Sequence, residues 1–160
     1  MNASLQQSFL PGLPCILLVE DNPDDVLLTR RAVRKAGLQV SLLVVNDGDQ
    51  AVAYLEGTGQ YHDRRTWPNP SVILLDLKLP KRSGLEVLHW IRQRPELAGI
   101  PVVVLTSSTE DEDIRQAYEA GANSYLQKPV VFTGLVQLLG MLDLYWLQTN
   151  LSTSRTGTTN

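Results

Sequence analysis

The sequence predicts an α/β domain: a doubly wound, mostly parallel sheet of five strands with five helices packed on its faces. Three observations carry that expectation. Five short apolar segments, at residues 15–19, 40–45, 72–75, 102–105 and 125–126, run almost without polar interruption, as strands covered on both faces do. A longer segment of helical pattern follows each of them, at residues 23–36, 49–56, 84–94, 110–120 and 130–147. Strand–helix alternation repeated in this way is the signature of parallel strands joined by crossover helices.

Local chemistry punctuates the elements in order. Asn22-Pro23 after the first strand reads as an N-cap followed by proline at the first helical position, where the missing N–H costs nothing. Asp24 and Asp25 then fall in the first turn, where carboxylates suit the positive end of the helix dipole. Gly37 and Gly121 stand where helices should stop, because glycine accepts the left-handed conformation of a helix end. Residues 57–70 contain Gly57, Gly59, Pro68 and Pro70 and are long for an α/β connection, so a surface excursion is expected. The division that follows is an N-terminal extension at 1–12, one domain at 13–148 and a flexible, Ser/Thr-rich polar tail at 149–160.

Composition limits what the chain can do. Of 160 residues, 43% are hydrophobic, which suits one domain with a proper core. No apolar run approaches the roughly 20 residues that span a bilayer, and the N-terminus lacks the pattern of a signal peptide, so a cytoplasmic protein is expected. The net charge of −3 gives no broad drive toward nucleic acid. Cys15 is the one cysteine; it reads as a buried, inert thiol. His62 and His89 have no partners at ligand spacing and read as a loop and a helix-surface residue.

In an open α/β sheet, ligands bind beyond the carboxyl ends of the strands. There the sequence places Glu20-Asp21 after the first strand, Asp76 after the third, Thr106-Ser107 at the fourth and Lys128-Pro129 after the fifth. Three carboxylates gathered at one edge repel one another and call for a cation. Oxygen ligands without His or Cys favour a hard ion such as Mg²⁺, one per chain. A carboxylate such as Asp76 can act as a nucleophile and form an acyl phosphate, with the ion and Lys128 offsetting charge on the phosphoryl oxygens. Each residue alone has a plainer explanation: a helix-start carboxylate, a strand-end turn residue, a β-former, a turn lysine. Their coincidence in this order is what carries weight.

The set Glu20-Asp21, Asp76, Thr106-Ser107 and Lys128-Pro129, with Tyr125 three residues before the lysine and the stretch from Asp76 to Gly84, resembles the receiver domain of two-component response regulators over about residues 14–147. The resemblance implies a flavodoxin-like sheet order of 2-1-3-4-5. It also implies that Asp76 is the phosphoacceptor and that Asp21, Asp76 and the backbone carbonyl of Lys78 ligate Mg²⁺, with Glu20 helping through a water. Lys128 and Thr106 would contact the phosphoryl group, the Lys128–Pro129 bond would be cis, and Thr106 and Tyr125 would form the switch pair. Glu20 stands where the family more often has Asp. More narrowly, the single-domain layout, the long 57–70 connection, residues 100–108 and residues 121–125 resemble the response regulators that serve bacterial phytochromes. A sensor histidine kinase is then the phosphodonor, and the chain is no enzyme beyond its own aspartyl phosphorylation and dephosphorylation.

Competing functions fit less well. A haloacid-dehalogenase-like phosphatase needs a second Asp two residues after the nucleophile, where this chain has Lys78. A pseudo-receiver binding module would lack a carboxylate or the lysine. A DNA-binding output would need a further domain and a basic helix. The last helical segment, 130–147, is apolar nearly all round, unlike an outer helix with a polar stripe. A homodimer through the fourth helix, fifth strand and fifth helix is expected, using Ile114, Tyr118, Tyr125, Phe132, Leu135, Leu138, Leu139 and Leu142.

Overall fold

Apolar segments too short to bury themselves alone pair side by side in the computed structural model, which describes residues 12–149. The predicted extension at 1–12 and tail at 149–160 lie outside the described residues except at their inner ends. The elements are β1 (Cys15–Val19), α1 (Pro23–Lys35), β2 (Ser41–Val45), α2 (Gly48–Glu56), β3 (Val72–Leu75), α3 (Gly84–Arg92), β4 (Val102–Thr106), α4 (Asp111–Glu119), β5 (Ser124–Gln127) and α5 (Phe132–Leu142). The strands form one parallel sheet in the order β2-β1-β3-β4-β5.

Register sets the rim where the site lies. Val19 pairs with both Val45 and Leu75, and Leu75 pairs with Val104. Glu20 and Asp76 therefore leave the sheet at the same level, while β4 and β5 run on until Thr106 pairs with Gln127. Side chains alternate between two cores. Cys15, Leu17 and Val19 face α2, α3 and α4 through Tyr54, Leu55, Val87, Leu88, Ile91 and Ala117. Ile16 and Leu18 face α1 and α5 through Ala32, Val33, Leu135 and Leu139.

Caps fix where the helices begin. The Asn22 side-chain oxygen accepts from the Asp24 and Asp25 N–H groups at 2.8 and 3.3 Å. Asp47 accepts from the Gln50 N–H at 2.7 Å, and Ser83 with Glu86 forms a reciprocal capping box. Gly37 and Gly121 take positive φ at the helix ends, as expected.

One expectation about the fold is refined and another needs correction. The 57–70 connection is a surface excursion, with residues 58–60, 62, 65, 66 and 69 exposed, but its middle is anchored inward. Tyr61 is buried, and its ring, with those of Tyr54 and Trp67, forms a cluster with centroids 5.2–6.1 Å apart. The Tyr54 hydroxyl donates to the Pro68 carbonyl at 2.7 Å, and the Arg64 guanidinium donates to the Leu55 and Trp67 carbonyls. Aromatic burial outweighs the turn-forming residues there. The last helix is also shorter than expected: α5 ends at Leu142 and the chain continues as a π-helical segment, Asp143–Thr149. That widened turn brings Leu147 into the core beside Leu135 and Leu139.

Candidate functional site

Four segments meet at the carboxyl rim. Glu20 follows β1, Asp76 follows β3, Thr106 ends β4 and Lys128 follows β5. Glu20 and Asp76 are 3% and 8% exposed and Thr106 is buried; Asp21 is exposed. Backbone bonds continue the sheet past its last pairs and hold these residues in place: the Glu20 N–H donates to the Val45 carbonyl, Asp76 N–H to Val19, and Lys128 N–H to Thr106, at 2.8–3.1 Å.

The Lys128 ammonium sits among three carboxylates. Its Nζ lies 2.6 Å from Glu20 Oε1, 3.0 Å from Asp76 Oδ2 and 3.0 Å from Asp25 Oδ2. Burial works to lower its pKa, but the hydrogen bonds to Glu20 and Asp25 and the charge of Asp76 outweigh that, holding it above the usual lysine range. Burial pushes the Glu20 carboxyl up to about 7, against the lowering effects of Lys128 and the Asn22 N–H.

The sequence singled out Glu20, Asp76 and Lys128, and the fold brings them together. It assigned Asp25 to the helix dipole alone, and here the structure adds an ion pair. The missed signal is helical geometry: a residue in the first turn of α1 leans back toward the strand end that precedes it.

One oxygen each from Glu20, Asp21 and Asp76 lies within 4.8 Å of the others. These hard donors, without His or Cys among them, suit a divalent cation. Lys78, expected to supply a carbonyl, is adjacent; its N–H donates to Asp76 Oδ1 at 3.4 Å. The expected switch residues converge on Ser108. Its N–H donates to Thr106 Oγ1 at 3.4 Å, and its carbonyl accepts from the Tyr125 hydroxyl at 3.0 Å.

Two site expectations fail. The Lys128–Pro129 bond is trans, as no cis peptide occurs among the described residues. Trans is the lower-energy form of an X–Pro bond, and Lys128 reaches its three carboxylates with it. Of the expected interface residues, Leu135, Leu138 and Leu139 are buried within the chain itself, because α5 packs against α1 and the sheet. Ile114, Tyr125 and Leu142 are half-buried, while Tyr118 and Phe132 are exposed. Val130, Val131, Met141, Leu144 and Tyr145 supply further exposed apolar surface.

A sheet of this order with an acidic pocket and a lysine at its carboxyl rim defines a class, and the chain belongs to the response regulator receiver domain family, whose model matches residues 16–140. Among its relatives is the response regulator Rcp1 of Synechocystis sp., 40% identical over 134 residues, covering 84% of this chain and 89% of that protein. The probable methanogenesis regulatory protein FilR2 of Methanothrix harundinacea is 42% identical over 137 residues, 86% of each. A crystal structure of the phosphorylated cyanobacterial phytochrome response regulator RcpA superposes with a TM-score of 0.81 at 37% identity, covering 89% of this chain and 99% of that one. The Mn²⁺-bound form of Rcp1 superposes with a TM-score of 0.77 at 38% identity, covering 87% and 98%.

Proposed function

We propose that this chain is a phosphorelay response regulator that takes a phosphoryl group on Asp76 from the phosphohistidine of a sensor histidine kinase. The observation that carries this is the single ammonium of Lys128 held 3.0 Å from Asp76 Oδ2, beside the cation-ready set Glu20, Asp21 and Asp76. One Asp76 carboxylate oxygen attacks phosphorus, the donor P–N bond breaks, and the leaving imidazole keeps the electron pair and picks up a proton. Asp21, Asp76 and the Lys78 carbonyl, with Glu20 nearby, would hold a divalent cation such as Mg²⁺, which would offset charge on the transferred phosphoryl oxygens. Lys128 exchanges its contact with Asp76 for one with a phosphoryl oxygen, and the Thr106 hydroxyl donates to another. Drawing Thr106 toward the phosphoryl group loosens its bond from the Ser108 N–H. Because Ser108 also holds the Tyr125 hydroxyl, the change passes to α4 and β5.

Likeness to the phytochrome response regulator RcpA supports a phytochrome-type kinase as donor, in a relay we place in the cytoplasm; likeness to FilR2 is why the donor must be tested. Output passes through protein contacts. The exposed Tyr118, Phe132 and Met141 support a homodimer through α4, β5 and α5. Light scattering that finds only monomer at micromolar concentration, with and without an acyl-phosphate mimic, removes the dimer.

Incubation with acetyl phosphate and Mg²⁺ should add one base-labile phosphoryl group, and Asp76→Asn should abolish it. Label retained in that variant refutes the acceptor assignment. Phosphotransfer profiling against the histidine kinases of the source organism identifies the donor.

A further inference from the structure

We propose that Asp25 is a positioning residue for Lys128, the anchor that keeps the ammonium at the rim of the site when a cation engages the other carboxylates. The inference rests on Asp76 being the phosphoacceptor. An ammonium has three N–H donors, and here it meets three carboxylates: Glu20, Asp25 and Asp76. Two of these, Glu20 and Asp76, also belong with Asp21 to the group that can share a cation. Asp25 does not. A divalent ion bound to that group draws on the same oxygens that Lys128 uses, and phosphoryl transfer converts the Asp76 carboxylate to an acyl phosphate. Asp25 then remains as the undivided negative partner of Lys128.

The anchor is rigidly mounted. Asp25 lies in the first turn of α1, its N–H donating to the Asn22 cap at 3.3 Å and its carbonyl accepting from the buried Thr29 hydroxyl at 2.8 Å. Apart from the three carboxylates and Thr29, whose hydroxyl is engaged by the Asp25 carbonyl, the cavity beside Lys128 is lined by apolar residues such as Leu18, Leu28, Leu74, Leu105 and Leu135, which offer the ammonium no other acceptor. Asp25 is separated from Lys128 by 103 residues, which makes the contact a clamp between α1 and the end of β5. A lysine tethered in this way starts close to where phosphoryl oxygens arrive, which lowers the cost of orienting it during transfer.

The test compares Asp25→Asn, Asp25→Glu, Lys128→Met and the Asp25→Asn/Lys128→Met double variant in the full chain, with acetyl phosphate and Mg²⁺, by intact mass spectrometry. Asp25→Asn should slow phosphorylation about tenfold, equivalent to about 1.4 kcal/mol of transition-state stabilisation. Asp25→Glu should recover most of the rate. In the Lys128→Met background the same Asn substitution should change the slower residual rate by less than about twofold, since coupled residues do not add. Calorimetric Mg²⁺ affinity should stay within about twofold of wild type, because Asp25 lies outside the cation group. Wild-type rate in Asp25→Asn overturns the proposal. So does an equal tenfold loss in the Lys128→Met background, or a large loss of Mg²⁺ affinity. Asp76→Asn serves as the control: phosphorylation persisting there refutes the acceptor assignment, whereas its loss beside an unaffected Asp25→Asn refutes the anchor alone.

Discussion

Replacing Gly84 by alanine gives a direct measure of how tightly the segment after Asp76, the proposed acceptor, is packed. A Cβ built at Gly84 falls 2.2 Å from the Asp76 carbonyl oxygen and 2.6 Å from the Leu77 Cα. Both are main-chain atoms, so no side chain can swing aside. Ordinary contact begins near 3.4 Å, so the two backbones must part by more than about 1 Å. The same two segments are joined by the Gly84 N–H donating to the Leu77 carbonyl at 2.8 Å, and parting them lengthens that bond. Overpacking of this kind costs about 1–3 kcal/mol, and the strain falls on the residue that carries the Asp76 side chain. Misplacement by about 1 Å at a reacting group can cost on the order of a hundredfold in rate. Urea unfolding should therefore give a lower midpoint with an unchanged slope, and phosphorylation by acetyl phosphate should slow by far more than the loss of folded protein explains. Gly84→Ala with wild-type stability and wild-type phosphorylation would refute the claim that α3 is docked on the backbone of Asp76 and Leu77.

Leu139→Ala, which empties a fully buried position between α5 and the sheet, should destabilise the domain by about 2–5 kcal/mol in denaturant titration. Asn22→Ala removes the oxygen that caps α1 and should cost about 1 kcal/mol in the same assay. Burial pushes the Cys15 thiol up to about 11 from a usual value of 9.0, so the native protein should resist iodoacetamide near neutral pH and react readily in denaturant. The sign follows for stability: the unfolded chain gives up that proton first, so the thiol's contribution is intact below about pH 9 and is lost as pH rises toward about 11. A loss of stability across that window no steeper in wild type than in Cys15→Ala would contradict this.

The strands and the order of the site residues were legible because they depend on local pattern. An apolar run covered on both faces has a characteristic composition, and β1 and β3 begin and end where that pattern does. The rim residues were legible because parallel connectivity forces every strand end to one side. What escaped was decided by contacts remote in sequence. Asp25 looks like any first-turn carboxylate until Lys128 is folded against it. Nothing local to Arg92 announces that its guanidinium binds the carbonyls of Ala98, Ile100 and Gly121 and the side chain of Asn123. Val130 to Leu147 read as one continuous helix because hydrophobicity does not report hydrogen-bond spacing; the switch to a π-helical segment, which carries Leu147 into the core, leaves no mark in the apolar pattern.

The aromatic knot between α2 and β3 has a consequence for how this domain tolerates damage and change. A long connection ordinarily offers proteases a slack, accessible stretch. Here Tyr61, Trp67 and Arg64 draw theirs inward, while Arg65 projects outward, its side chain 94% exposed. Trypsin should nick after Arg65 before Arg64, and the cut ends should stay seated, since the ring contacts on either side of the nick do not depend on the severed bond. The same architecture makes the neighbourhood of Arg65 a site where a peptide tag could be inserted without disturbing the phosphorylation rim.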